Sequence, residues 1–279
     1  MGSRVKVMIL SNTDPTSSAI FRSICEDPRL EVVAVAFTRT LTKSATFWGG
    51  IYDIFRASGF PYFVYILFWN GVFISKEWLI CKIPLLRGVF PEFFSLKFWA
   101  RNHNIQVYYS DDFSSSEFMA QVLRHDPHVL FTRINQILKE PLLSSVPYGC
   151  WCFHSSELPK YQGIAAEFHS LVNEEKTVGF TVMLMTTELD AGLIISQGRF
   201  LIPKSVTLHR LIELNNTHAT RVIQQAVNKL VTNRLKYKQQ DSTRGSSYFS
   251  WPNTEQTRAF RRKGLRYISV KETLAYIVK

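Results

Sequence analysis

A chain of 279 residues with 46% hydrophobic content can bury one good core, which excludes a disordered chain. Its 33 Lys plus Arg against 22 Asp plus Glu leave a net charge of +11, favouring an anionic partner (nucleotide, phosphorylated sugar, nucleic acid or acidic membrane surface) without choosing among them. Four cysteines, Cys25, Cys81, Cys150 and Cys152, are too sparse for a disulfide framework, and no basic start followed by a long apolar run opens the chain, so a reducing cytoplasm is the expected compartment.

Residues 5–10 form a β-rich apolar run, residues 17–25 read as a helix, and residues 30–37 read as a second strand. Strand, helix, strand at this spacing is a βαβ unit, which implies a parallel sheet with right-handed crossovers. The first strand ends in Ser11-Asn12-Thr13-Asp14-Pro15, which contains no glycine, so dinucleotide binding of the usual kind is not expected. Residues 47–99 interrupt the order with an aromatic-rich insertion. Its uncharged run, 57–75, approaches the length of a membrane span but holds Pro61, Asn70 and two glycines and is closed by Lys76 and Glu77, so a full crossing is disfavoured. Two readings stay open. One is a set of buried helices on the sheet face or at a homodimer contact; the other is an interfacial helix lying peripherally on a membrane, with the protein's positive charge beside it.

The α/β order then resumes, with a strand over 105–109, a helix over 115–124 and a strand over 128–132. The expected fold is α/β: an open, mostly parallel Rossmann-like sheet with helices on both faces and its ligand crevice at the carboxyl ends of the strands. Residues 207–230 read as a helix with an apolar face through Leu208, Leu211, Ile212, Val222, Ile223 and Val227. Residues 238–247 are polar and read as a linker or exposed loop, and the tail 251–279 carries a basic run read as a solvated helix face. This divides the chain into a catalytic unit, 1–205, and a C-terminal helical segment, linker and tail, 206–279. Cys150 and Cys152 have no second Cys or His cluster at ligand spacing, so no metal site is expected.

The most informative stretch is Gly149-Cys150-Trp151-Cys152-Phe153-His154-Ser155-Ser156-Glu157-Leu158-Pro159-Lys160-Tyr161-Gln162-Gly163. Thirty-six positions beyond the histidine, counting 154 to 190, Thr181 and Met185 lead into Leu189-Asp190-Ala191-Gly192-Leu193-Ile194-Ile195. Together these blocks resemble the folate-dependent formyltransferase family, in which a strand delivers Asn-x-His, a Ser-Leu-Leu-Pro-x-Tyr-Arg-Gly loop follows, and a Leu-Asp-x-Gly-x-Ile-Ile segment comes later. The resemblance covers roughly residues 1–205. It implies 10-formyltetrahydrofolate as formyl donor and an amine that attacks the formyl carbon, generating a tetrahedral centre whose oxygen becomes negative.

By that resemblance His154 and Asp190 are the catalytic pair: an imidazole donates a hydrogen bond or proton, and a carboxylate orients it and helps to take the proton shed by the amine. Cys152 stands where the family has its Asn, and a thiol is a weak donor. Arg133, Asn135, Gln136, Ile137, Leu138 and Leu189 occupy the folate-lining positions, and Asn135 is a candidate to replace the missing amide. Ser155, Tyr161, Gln162 and Gly163 are the candidate substrate-binding residues, with Gln162 in place of the usual Arg and with Ser155 and Glu157 in place of Pro and Leu. The implied acceptor is a small anionic amine-bearing molecule, foremost an amino sugar on a nucleotide, and no specific nucleic acid is expected. The departures also motivate a second reading, a non-catalytic relative that keeps the pocket as a folate or nucleotide-binding module.

Overall fold

Five apolar runs, 5–11, 30–38, 129–133, 150–154 and 177–184, are largely buried from both sides and form the centre of one sheet, while the runs at its edges, 106–110 and 194–201, are partly exposed. The computed structural model describes residues 4–38, 47–90, 92–241, 243 and 245–278. In chain order the elements are β1 (Val5–Ser11), α1 (Pro15–Cys25), β2 (Leu30–Thr38), α2 (Phe47–Ala57), α3 (Phe60–Lys82), α4 (Leu96–Asn102), β3 (Gln106–Ser110), α5 (Ser116–His125), β4 (Val129–Arg133), β5 (Cys150–His154), β6 (Gln162–Gly163), α6 (Ala166–Val172), β7 (Thr177–Leu184), β8 (Ile194–Leu201), α7 (Leu208–Val231), β9 (Tyr248–Phe249), α8 (Thr254–Arg262) and α9 (Val270–Val278). The sheet order is β3-β2-β1-β4-β5-β7-β8. The first five strands in that order are parallel, while β7 runs antiparallel to both β5 and β8. The order reverses between β1 and β4, which is where an open α/β sheet leaves a ligand crevice.

One face packs Phe21, Phe131, Trp151 and Phe153 against Val222 and Ile223 of α7; the other packs Met8, Leu10 and Leu130 against Phe113 and Phe118. The mostly parallel sheet with helices on both faces is as the sequence implies, and the strands and helices lie within one or two residues of the predicted runs. The division at residue 205 does not survive packing. Ala219, Val222, Ile223, Ala226 and Val227 of α7 are part of the main core, and Phe260 of α8 is fully buried in a third cluster with Tyr62, Tyr65, Trp69 and Phe168. The fold is therefore completed by the C-terminal segment rather than followed by it. Substituting Phe260→Ala, which deletes a ring stacked on Phe168 and Tyr267, should cost about 3–5 kcal/mol. Urea denaturation checks this; a loss near that for an exposed residue would mean that α8 is an appendage.

Candidate active site

β5 places its side chains alternately, so Cys150, Cys152 and His154 share one face while Trp151 and Phe153 are buried in the core on the other. His154, the last residue of β5, is buried and held by a hydrogen bond of 3.0 Å between Nε2 and the carbonyl of Tyr161. A carbonyl only accepts, so Nε2 carries the proton in the neutral ring, and the Nδ1 edge is left facing the carboxylate of Asp190 at 3.6 Å. That separation is an ion-pair distance once Nδ1 is protonated and too long for a hydrogen bond before.

Asp190 reaches this place by an indirect route. Because β7 descends beside β5, its end lies at the amino end of β5, where Met185 N–H donates to the Cys150 carbonyl at 2.7 Å. Residues 185–190 must then climb back along the sheet to bring the carboxylate to His154. Asp190 takes a left-handed backbone (φ 50°), a conformation that Asp tolerates better than most residues. Three groups hold it there: Gly163 N–H donates to Oδ2 at 2.7 Å, and the side-chain amides of Gln162 (3.2 Å) and Gln240 (2.8 Å) donate to its carbonyl. A Cβ on Gly192 would fall on the Leu184 carbonyl, so glycine is required two positions after the aspartate.

The loop after β5 is fixed from above by residues 246–250. β6 pairs with β9, Tyr161 N–H donates to the Ser247 hydroxyl at 3.1 Å, and Phe249 stacks on Tyr161 and His169. Gly163 (φ 92°) is needed because a Cβ would meet the Phe249 carbonyl. The segment 238–247, read from sequence as a linker or exposed loop, instead straps the site through residues 238, 240, 246 and 247. Lys238 pairs with Ile194, Gln240 donates to the Asp190 and Gly192 carbonyls, and Ser246 donates to Gln162.

This changes several assignments. Gln162 spends its amide on Asp190 and its oxygen on Ser246, so it ties two loops together. Tyr161 turns its hydroxyl toward Glu175 and Asn173, and its carbonyl holds His154. Leu138 is fully buried in the α5-side core, which makes it packing rather than lining. Gln136 bridges Phe113 N–H, Thr38 and the Asp111 carbonyl. Ile137, Leu189 and Asn135 remain exposed on the loops that follow β4 and precede Asp190.

Arg133, the last residue of β4, donates through Nη1 to the Phe153 carbonyl and the Ser155 hydroxyl at 3.0 and 3.1 Å. Its Nε and Nη2 have no partner among the described residues, which leaves cationic donors beside the β1/β4 crevice. The start of α1 at the same crevice is already capped by Asp14, whose carboxylate accepts from Ser17 N–H and Oγ. An incoming anion would meet that carboxylate there, so Arg133 is the better anchor.

Glu167 and its partner Asn215 were missed from sequence. Glu167 is buried, with Asn215 donating to it at 2.8 Å and also to the Ser155 carbonyl. Burial raises its carboxyl above the usual glutamate range, opposed by the Asn215 bond, a backbone bond and the charges of Arg133 and His154. The available signal was Asn215 within the apolar stripe of α7. Cys152 lies in the site beside Thr132, and its thiol is pushed up to about 12, first by desolvation and then by the charge of Asp190, with Arg133 offsetting part. It is protonated at neutral pH and is not a nucleophile there. A cavity of about 360 Å³ opens beside the loop, lined by Ser156, Glu157, Lys160, Tyr161 and Arg199. It touches neither His154 nor Asp190, and its charged groups are paired as Lys160 with Glu175 and Arg199 with Glu157.

The sequence profile of the Formyl transferase family matches residues 98–227, a range that contains β5, His154, Asp190 and most of α7. The methionyl-tRNA formyltransferase of Enterococcus faecalis is 30% identical over 137 residues, 49% of this chain and 44% of the relative. That of Geobacillus is 28% identical over 152 residues, 54% of this chain and 48% of the relative. The matched stretch thus spans less than half of these curated relatives. An N-formyltransferase structure from Helicobacter canadensis superimposes with a TM-score of 0.54 at 15% identity, over 90% of this chain and 72% of that one. Glycinamide ribonucleotide transformylase 1 from Symbiobacterium toebii gives a TM-score of 0.57 at 15% identity, over 86% and 96%. The fold is the formyltransferase fold, and over residues 98–227 the chain is similar in sequence to the formyltransferase family.

Two measurements probe the site's electrostatics. At about pH 8, iodoacetamide should modify exposed Cys81 while Cys152 stays unmodified, as read by peptide mass spectrometry. Equal rates would mean an activated thiol. Glu167 should make folding less stable as pH rises, because a carboxyl raised in the folded state holds its proton after the unfolded chain has lost its own. The stability difference between wild type and Glu167→Gln should therefore shift toward the variant from about pH 4 upward, a trend absent if Glu167 is charged in the folded state throughout.

Proposed function

We propose that the chain is an N-formyltransferase moving a formyl group from 10-formyltetrahydrofolate to the primary amine of a small anionic acceptor, an amino sugar attached to a nucleotide. The observation that carries this reading is the His154–Asp190 pair, whose Nδ1 edge is the one side of the imidazole free of a protein hydrogen bond. Support for the acceptor class comes from the unengaged Arg133 donors at the crevice, the +11 net charge, and the Helicobacter canadensis structure, described as a complex with folinic acid and dTDP-3-aminofucose. The sugar N-formyltransferase of Shewanella, 16% identical, aligns over 98% of this chain and 86% of its own with a TM-score of 0.55.

The residues fit a flat, partly apolar donor at one end of the site. Exposed Ile137 and Leu189 offer apolar contact and Asn135 an unengaged amide on the flanking loops. The donor supplies a formyl carbon on a nitrogen leaving group. Arg133 anchors the acceptor's negative charge. His154 would take the proton shed by the attacking amine at Nδ1, where Asp190 stabilises the resulting imidazolium, and would return it to the donor's leaving nitrogen as the formyl carbon–nitrogen bond breaks. The Gly163 N–H and the Gln162 and Gln240 amides keep that carboxylate in place without moving during the reaction. The free thiols of Cys25, Cys81, Cys150 and Cys152 suit a cytoplasmic setting.

Cys152 favours the second reading, a catalytically impaired module that retains the pocket. A missing amide donor costs on the order of 10²–10³ in turnover, whereas enzymatic acceleration as a whole is commonly far larger, so slow catalysis is the expected result. Turnover of 10-formyltetrahydrofolate is measured with a panel of dTDP- and UDP-linked amino sugars. Wild type should be active, His154→Ala should lose roughly 10²-fold or more, and Cys152→Asn should gain activity, up to about 10³-fold. Inactivity of both wild type and Cys152→Asn across the panel refutes the enzyme reading and leaves the module.

A further inference from the structure

α3 is apolar on both faces. Its buried face carries Tyr62, Tyr65, Trp69, Phe73 and Ile80 together with Lys76 and Glu77, whereas the face turned to solvent carries Phe60, Val64, Leu67, Ile74 and Trp78. These exposed residues follow spacings of 4, 3, 7 and 4, which set them in one stripe about 27 Å long. The most exposed are Phe60 at 65% and Trp78 at 59%, with Trp48 of α2 at 76%. Half of the large exposed apolar side chains among the described residues, 11 of 22, fall between residues 48 and 89. Stripes of this size on a soluble surface mark a site of contact.

The buried face of α3 argues against a bilayer crossing. The Lys76 ammonium donates to the Tyr276 carbonyl and sits 5.2 Å from the ring centres of Phe90 and Tyr276. The Glu77 carboxylate accepts from the Ser95 hydroxyl and pairs with Lys97 at 3.7 Å. Withdrawing the helix into a bilayer would strand both charges and open the cluster around Tyr62, Trp69 and Phe260.

We infer that the α2–α3 hairpin docks this protein on an anionic lipid bilayer. Charge selects that occupant over a second copy of the chain. Two molecules of +11 repel, while phosphate headgroups attract. Exposed Arg56 closes α2 and exposed Lys82 closes α3. α8, whose Thr257 packs on Gly59 at the start of α3, adds exposed Arg258, Arg261 and Arg262 against Glu255, and Asp53 is the acidic residue of α2. α3 contributes no exposed acid, because Glu77 is buried. Tryptophans at Trp48 and Trp78 suit the headgroup boundary, where an amphipathic ring is at home. This inference stands whether or not the transfer reaction above is correct.

The test is sedimentation of the full chain with phosphatidylcholine vesicles containing phosphatidylglycerol, compared with phosphatidylcholine alone, for wild type and for Leu67→Glu with Ile74→Glu. Both positions are exposed, so the double variant should keep its melting transition. Wild type should partition onto the anionic vesicles, and the variant should do so roughly tenfold or more weakly. No binding by wild type, or equal binding by the variant, overturns the proposal. So does a wild-type dimer in light scattering that the variant converts to monomer while vesicles capture neither. Should the double variant unfold, tryptophan quenching of wild type by brominated phosphatidylcholine in the anionic vesicles replaces it: quenching supports the docking and its absence overturns it.

Discussion

The carboxylate of Asp190 joins three parts of the chain that have no other reason to meet. It accepts from Gly163 N–H, faces Nδ1 of His154, and sits on a backbone whose carbonyl takes the amides of Gln162 and Gln240. The antiparallel course of β7 makes this necessary, since the segment leaving that strand starts at the wrong end of β5 and must return along the sheet. A left-handed aspartate is a costly way to end that return, and such a conformation persists where the surroundings over-determine it. Here they do so through side-chain amides rather than packing. The imidazole is oriented in turn by the Tyr161 carbonyl, which the strap at residues 246–250 fixes through Ser247 and Phe249.

That arrangement explains which parts were legible in the sequence. Strands and helices were readable because their apolar periods are local, and His154 and Asp190 stood out because two short blocks occur in the right order. The strap was not readable. Polar residues at 238–247 look solvated when taken alone, and their role depends on groups some fifty to eighty positions away, as with Gln240 on the Asp190 carbonyl and Ser246 on the Gln162 side chain. Gln162 was misjudged for the same reason: an amide in a substrate loop suggests a ligand, and its partners are two other loops. Leu138 was assigned by its place after β4, but the irregular segment there turns it into the core.

α3 poses a different problem. A helix apolar on every side gives no period from which to choose its inner face, so burial, docking and crossing could not be separated by pattern. Packing makes the choice through the groups that can hydrogen-bond. The hydroxyls of Tyr65 and Tyr276 meet His209 and the Trp69 carbonyl, and Lys76 and Glu77 meet partners that water would otherwise replace. Once those groups turn inward, helix geometry dictates that Val64, Leu67 and Ile74 turn outward.

The site's electrostatics follow from the same economy of partners. A thiol at Cys152 is pressed toward its neutral form by desolvation and by Asp190, so it adds no negative charge beside a carboxylate that already needs a cation. An ionised thiol there would compete with Asp190 for the imidazolium and draw Arg133 inward. A neutral thiol adds no charge that would compete with Asp190 for His154 or with Ser155 for Arg133. A thiol at this position is thus a weak donor that leaves the charges of Asp190 and Arg133 with their own partners.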